Sequence, residues 1–123
     1  MSLSTASSPA LNQVVAAVTS LGVTVVVAAG NQAADAAKVS PASAPSAITV
    51  AASDIDDKFA TFSNFGASVD LIAPGVGILS SYHLAENSYA IASGTSMGKT
   101  PSSGWLEAAR RLSVHRRGEA DFS

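Results

Sequence analysis

A continuous apolar run in the first third of the chain constrains its fold more than any other feature. Residues 23–29 read Val-Thr-Val-Val-Val-Ala-Ala, with Thr24 as the only polar side chain, and Gly30 and Asn31 follow directly. The apolar residues run on instead of alternating, which is typical of a parallel strand covered on both faces. The run therefore predicts a central strand of a parallel sheet, and Asn31 lies where that strand ends.

The segment before this strand has the pattern of an amphipathic helix. Ser8 suits the N-cap position, Pro9 suits the first helical position, and Gly22 suits the stop. Spacings of three and four residues predict one buried face, made of Leu11, Val14, Val15 and Val18.

Further short apolar segments predict more strands, and together they indicate an α/β fold. Phe62 and Phe65 bracket Ser63-Asn64, which predicts a turn held by aromatic side chains in the core. The strand candidates are residues 47–52, 71–73, 78–79 and 89–93.

Composition limits the class of protein. With 47% hydrophobic and 13% charged residues among 123, the chain is apolar enough to be globular. It has no cysteine, so it forms no disulfide, and its apolar runs are far too short to span a bilayer. Residues 1–97 hold two Lys and six acidic residues, net −4, which argues against nucleic-acid binding. We expect neither a nucleic acid nor a membrane as partner.

Ser96 is a candidate nucleophile. It lies in Ser93-Gly94-Thr95-Ser96-Met97, where an extended run gives way to a predicted helix, and such a turn exposes a serine hydroxyl. The side-chain amide of Asn31, at the end of the apolar strand, could donate a hydrogen bond to an oxyanion. Together, a serine and an amide donor are two of the parts needed to attack a carbonyl group.

These residues belong to a larger set of motifs that carry a family resemblance. Residues 1–97 resemble the C-terminal part of the catalytic domain of subtilisin-like serine proteases, closest to the proteinase K-like fungal branch. The resemblance implies a partial subtilisin-like parallel sheet with flanking helices, and residues 98–123 depart from it as a tail that we expect to be poorly ordered. The matching pieces are Met-Ser-Leu at 1–3, Ala-Ala-Gly-Asn at 28–31, Ser-Pro-Ala-Ser-Ala-Pro at 40–45, Phe-Ser-Asn-Phe-Gly at 62–66, Ala-Pro-Gly at 73–75 and Gly-Thr-Ser-Met at 94–97.

The resemblance implies a serine-type endopeptidase acting on peptide or protein substrates. Ser96 would be the nucleophile, its backbone N–H a second donor, and Asn31 the side-chain oxyanion donor. The implied substrate-binding residues are Ser2, Leu3, Ser4, Ala28, Ala29 and Gly30. Ser4 stands where the family usually has glycine, and residues 2–4 also suit the frayed start of a truncated chain.

The histidine and aspartate of the family's catalytic triad would lie upstream of Met1. His83 matches no part of the family's histidine motif, and we expect a surface loop position for it. The missing N-terminal half of the domain is therefore an expected partner, and the chain alone should be inactive. The alternative function is a non-catalytic remnant, either a peptide-binding or an antigenic fragment of such a protease. By resemblance the location would be secreted or vacuolar.

A structural calcium ion is a further implication of the resemblance. The proteinase K-like branch binds calcium at positions matching Pro45, Ala47 and Asp70, through two backbone carbonyls and one carboxylate. Oxygen ligands of this kind suit a hard cation, although Asp70 also suits an ordinary strand end. The acidic group Asp54, Asp56 and Asp57 beside Lys58 is predicted to be a solvated turn and not a metal site.

Overall fold

A computed structural model describes residues 1–81, 88–100 and 102 of the chain. Residues 95–100 are helical and are called α2. No helix within these described ranges is both long and apolar enough to cross a membrane. The other elements, in chain order, are β1 (Thr5–Ala6), α1 (Pro9–Ser20), β2 (Val26–Ala28), a short 3₁₀ helix (Ala36–Lys38), β3 (Val39–Ser40), β4 (Ile48–Ser53), β5 (Leu71–Pro74), β6 (Ile78–Ser81) and β7 (Tyr89–Ala92).

The centre of the structure is a three-stranded parallel sheet in the order β2, β4, β5. Val26 lies opposite Ile48, and Val50 lies opposite Leu71. Met1 lies along the free edge of β2, where its carbonyl accepts a hydrogen bond from Ala28 N at 3.1 Å. The Met1 amino group donates to the Val26 carbonyl, and its burial, with the nearby Lys99, lowers its pKa. Helices and a parallel sheet confirm the predicted α/β class.

Small apolar side chains form the core on both faces of this sheet. Val27 and Val50 are completely buried, and β4 is buried along most of its length. Side chains this small allow helices and loops to approach the sheet closely, so that the interior is filled by Ala and Val. Among the described residues, buried side chains pack into three clusters: Val15, Val27, Ala44 and Ala47; Ala29, Ala36, Ala42 and Ala51; and Val26, Val50 and Ala73.

Helix α1 begins and ends as predicted, but its buried face is narrower. The Ser8 side chain accepts a hydrogen bond from Leu11 N at 3.3 Å, Pro9 opens the helix, and Gly22 follows its end with φ of 85°. Val15 is buried, whereas Val14 is 59% exposed, so the prediction for Val14 is wrong. Adjacent helical residues point about 100° apart, and the described residues cover only the stripe around Val15.

Two other predictions from the sequence differ from the structure. The central strand begins at Val26, since residues 23 and 24 are exposed before they reach the sheet. The aromatic anchor at position 65 is also wrong: Phe65 is 51% exposed, while Ser63 and Asn64 between the aromatics are buried. The turn buries its polar side chains because they complete hydrogen bonds that the neighbouring backbone would otherwise lack.

Candidate active site

The candidate site lies at the carboxyl edge of the parallel sheet. Asn31 follows the end of β2, and Gly75 follows the end of β5. Parallel strands end at the same edge, which is where α/β proteins commonly bind ligands. The Gly94 N–H donates to the Gly75 carbonyl at 2.7 Å, so the segment that precedes α2 is held at this edge as well.

The side chain of Asn31 is fixed by Thr95. Its Oδ1 accepts hydrogen bonds from the backbone N–H and from the hydroxyl of Thr95, each at 2.9 Å. A backbone N–H can only donate, so the amide must present its oxygen to Thr95. Its Nδ2 group donates no hydrogen bond to any residue that the structure describes. The orientation of Asn31 therefore leaves a pair of N–H donors available for an external acceptor.

Ser96 follows Thr95 directly and is the second residue of α2. Its side chain is half-buried, and its carbonyl accepts from the Thr100 hydroxyl at 3.3 Å. N–H groups in the first turn of a helix lack partners within the helix. A Cβ placed on Gly94 would lie 3.3 Å from Asn31 Nδ2, so that nitrogen lies close to the backbone leading to Ser96.

Asn64 is a site residue that the sequence analysis missed. Its Oδ1 accepts from the backbone N–H groups of Gln32 at 2.9 Å and Ala34 at 3.1 Å. Its Nδ2 donates to the Ala29 carbonyl at 2.9 Å and to Gln32 Oε1 at 3.0 Å. Asn64 thus binds the chain on both sides of Asn31. The signals in the sequence were a predicted turn and the Phe-Ser-Asn-Phe-Gly motif at 62–66, and neither gave Asn64 a role.

Gly30 is required between these two contacts. Its N–H donates to the Thr95 hydroxyl at 3.1 Å, and its carbonyl accepts from Asn64 N at 2.9 Å. Gly30 has φ of 104°, and a Cβ there would lie 2.5 Å from Asn64 Nδ2. A side chain at this position would therefore meet both backbone strain and a clash with Asn64.

Helix α2 packs directly on the backbone of the sheet. A Cβ on Gly98 would lie 3.0 Å from the Ala73 carbonyl and 3.3 Å from the Ala51 carbonyl. The helix that carries Ser96 is thus supported by β4 and β5, while the loop that carries Asn31 continues from β2. Both residues are thus attached to the same sheet.

The predicted substrate-binding residues fall into two groups. Ser2, Leu3 and Ser4 are exposed and follow Met1, which pairs with β2. Residues 28–30 are buried, and the Ala29 and Gly30 backbone groups are already bonded within the protein. Residues 29 and 30 can therefore offer shape to a substrate, whereas their backbone N–H groups are already used within the protein.

The three residues proposed to hold calcium line one cavity. Pro45, Ala47 and Asp70 surround it together with neighbouring small residues, and its volume is about 230 Å³. Asp70 Oδ2 accepts from Thr49 N at 2.7 Å, which fixes the carboxylate at the cavity wall and leaves Oδ1 for another partner. A carboxylate and two backbone carbonyls are oxygen ligands of the kind that calcium binds, so the chemistry of these three residues fits the ion.

Residues 54–58 form an exposed turn, as predicted. Asp54 Oδ1 accepts from Asp56 N at 3.0 Å and Lys58 N at 2.9 Å, and Lys58 forms an exposed ion pair with Asp56 at 3.6 Å. The described ranges contain no group of three acidic, His or Cys side chains suited to a metal. His83 and the tail from residue 103 onward lie outside the described residues.

Comparison with protein families matches residues 1–101 to the subtilase family of peptidases. A cuticle-degrading serine protease of Arthrobotrys oligospora is 54% identical over 97 residues, which cover 79% of this chain and 24% of that protein. Cerevisin of Saccharomyces cerevisiae is 48% identical over 106 residues, covering 86% of this chain and 17% of cerevisin. A subtilisin-like serine protease of Rhodotorula mucilaginosa is 49% identical over 122 residues, covering 99% of this chain and 35% of that protein.

A solved structure agrees with these matches. The crystal structure of a cold-adapted subtilisin-like serine proteinase superimposes with a TM-score of 0.75 at 41% identity, over 79% of this chain and 35% of that one. The chain thus spans between about a sixth and a third of the length of these relatives. The matched family and the shared fold together show that this chain belongs to the subtilisin-like serine proteases, the subtilase family.

Proposed function

We propose that this chain supplies the nucleophile and the oxyanion donor of a subtilisin-like serine endopeptidase. Ser96 Oγ attacks the carbonyl carbon of a peptide bond, and its proton passes to a histidine outside this chain. The histidine then gives that proton to the leaving amine, and water releases the acyl group from Ser96. Asn31 Nδ2 and the Ser96 N–H stabilise the negative oxygen formed at each attack.

The fixed orientation of Asn31 is the observation that carries this proposal. Both Thr95 bonds occupy Oδ1, so the donor side of the amide is left for a ligand, next to the backbone that leads to Ser96. An oxyanion donor accelerates a reaction because it is already oriented before charge develops. An Asn that only closed a turn would not need its amide to be held from a segment 64 positions away.

We expect the chain by itself to have no peptidase activity. A serine hydroxyl is a weak nucleophile until a base accepts its proton. Both histidines, His83 and His115, lie outside the described residues, and neither matches the family's catalytic motif. The triad histidine and aspartate would come from an N-terminal part of the domain, which is the proposed partner.

A fluorophosphonate probe tests this function. The probe forms a bond between phosphorus and an activated serine Oγ and releases fluoride. We define the complemented protease as the full 123-residue chain mixed with the part of the Arthrobotrys oligospora protease that precedes its matched segment. Labelling of Ser96, read by mass spectrometry, is expected in the complemented protease together with turnover of a generic peptide substrate. The chain alone should show neither.

If the two parts of the complemented protease co-elute as one folded species but show neither labelling nor turnover, the endopeptidase proposal is overturned. The result would then favour the non-catalytic remnant, because the peptide-binding surface could persist without chemistry. Labelling of the isolated chain at Ser96 would contradict the requirement for a second part.

We also propose that the segment Ser2, Leu3 and Ser4 receives the substrate by strand addition. These residues are exposed and continue from Met1, which already pairs with the edge of β2. An extended peptide can add to such an edge through main-chain hydrogen bonds. Residues 28–30 would then form the wall behind the side chain that precedes the scissile bond.

Calcium is proposed to bind in the cavity lined by Pro45, Ala47 and Asp70. The ion would join the loop before β4 to the residue before β5 and would stabilise the fold, since it binds the native state alone. We expect millimolar CaCl₂ to raise the unfolding midpoint of the chain, measured by circular dichroism. At 100 times the dissociation constant the gain is about 2.7 kcal/mol.

Replacing Asp70 by asparagine should remove this calcium effect. The amide can still accept from Thr49 N, which keeps the local fold, but it lacks the charge that attracts the ion. Asp54→Asn is the matched control, because Asp54 serves a turn outside the cavity. An equal calcium shift in the wild-type chain and Asp70→Asn would place the ion elsewhere.

The proposed location is secreted or vacuolar. One relative is named a cuticle-degrading serine protease, and an enzyme that reaches a cuticle would have to be exported. Expression of the complete gene with a C-terminal fluorescent tag would test this location, and a uniformly cytosolic signal would contradict it.

A further inference from the structure

We propose that Asn64 is a positioning residue for the oxyanion donor Asn31, an inference that rests on the proposed function. Asn64 is completely buried, and its carboxamide makes four hydrogen bonds. All four reach residues 29–34, which form the loop that carries Asn31. Burying a primary amide is costly unless it is fully bonded, so this arrangement has a defined structural task.

The bonding partners fix the orientation of the Asn64 amide. The Gln32 and Ala34 backbone groups can only donate, and the Ala29 carbonyl can only accept, so Oδ1 and Nδ2 cannot exchange places. Asn64 bonds to Ala29, which precedes Asn31 in the chain, and to Gln32 and Ala34, which follow it. The backbone at Asn31 is therefore held between two fixed points.

Thr95 and Asn64 position different parts of Asn31. Thr95 holds the Asn31 side chain through Oδ1, whereas the four Asn64 side-chain hydrogen bonds go to the residues around Asn31 and not to its side chain. Gly30 joins the two, since its N–H donates to Thr95 and its carbonyl accepts from Asn64. Loss of Asn64 would free the loop while the Thr95 contact remained, so the donor would move instead of disappearing.

The first experiment measures the loop without using activity. In the ¹⁵N-labelled full chain, the Asn31 side-chain NH₂ resonances are assigned by their loss in Asn31→Asp. In Asn64→Ala we expect these resonances to shift, because the amide moves relative to the groups around it. The Gln32 and Ala34 backbone amides should exchange with solvent at least about tenfold faster, a change equivalent to about 1.4 kcal/mol of opening free energy.

Asn12→Ala is the matched control. Asn12 lies in α1, and its side-chain amide donates a hydrogen bond to the Ser43 hydroxyl at 3.0 Å. Like Asn64 it joins two separate segments through its amide, but it does not bond to residues 29–34. It should leave the Asn31 resonances unchanged. In every variant the Asp70 amide, which donates to the Thr49 carbonyl, reports whether the sheet is intact.

Gln32→Met provides a milder variant if Asn64→Ala does not fold. It removes Oε1, which accepts from Asn64 Nδ2, and it changes only an exposed side chain. We expect a smaller shift of the Asn31 resonances in the same direction. Unchanged Asn31 resonances in folded Asn64→Ala, or in Gln32→Met where the first variant is unfolded, would overturn the positioning role.

A second experiment separates positioning from general stability in the complemented protease. Asn64→Ala should lower kcat at least about tenfold and leave KM within about twofold, because a displaced donor fails in the transition state and not in substrate binding. Equal changes in kcat and KM, or none, would contradict the inference. An inactive wild-type assembly with shifted Asn31 resonances in the variant would instead contradict the proposed function alone.

Discussion

Replacing Ser96 by alanine should reduce the kcat of the complemented protease by about 10⁶-fold, a magnitude taken over from subtilisin, itself a member of this family. In the proposed mechanism the acyl-enzyme forms through Ser96 Oγ, so loss of this atom removes the covalent route entirely. What remains is stabilisation of the oxyanion by Asn31 and by the backbone, acting on attack by water. Labelling by the fluorophosphonate probe should disappear completely.

Ser93→Ala is the control for this change. Ser93 lies three positions before Ser96, and its hydroxyl accepts from the Gly77 N–H at 2.9 Å, so it has a structural bond outside the proposed chemistry. We expect Ser93→Ala to retain labelling and turnover within a few-fold of the wild type. Equal losses of labelling and turnover in the two variants would show that any change in this segment abolishes activity. Such a result would contradict the role of Ser96 as nucleophile.

The fold could be predicted largely from local patterns. The apolar run before Gly30 predicted β2, and Ser8 with Pro9 predicted the start of α1, because each rule depends on neighbours in the chain. The exposure of Val14 could not be predicted, since it depends on how wide a stripe of the helix the rest of the chain covers. Periodicity identifies a face but does not measure its contact area.

The candidate site, in contrast, depends on contacts between residues far apart in the chain, which local patterns do not predict. The Thr95 contact with Asn31 joins positions 64 apart, and Asn64 bonds reach 30 to 35 positions back along the chain. Local rules treat Asn64 as an ordinary turn residue, and they assign burial to the aromatic Phe65 beside it. In the structure Asn64 is buried and Phe65 is half exposed. The buried amide of Asn64 satisfies backbone groups of residues 29–34 that would otherwise lack hydrogen-bond partners.

Replacing Asn31 by alanine should lower the kcat of the complemented protease by about 10²–10³-fold, again a magnitude taken over from subtilisin in this family. In the proposed mechanism the amide nitrogen donates to charge that exists only during the reaction, so KM should change little. Steady-state kinetics with a chromogenic peptide substrate separates the two constants. Asn12→Ala serves as control and should remain within a few-fold of the wild type.

Asn31→Asp tests whether the donor, and not the loop, is responsible for this loss. A carboxylate can still accept both hydrogen bonds from Thr95, so the backbone around position 31 should keep its conformation. It cannot donate, and it places a negative charge beside a developing negative charge. We therefore expect Asn31→Asp to lose at least as much kcat as Asn31→Ala. If Asn31→Asp kept near-normal turnover while Asn31→Ala lost it, the contribution of Asn31 would be its contact with Thr95 and not a bond to the oxyanion.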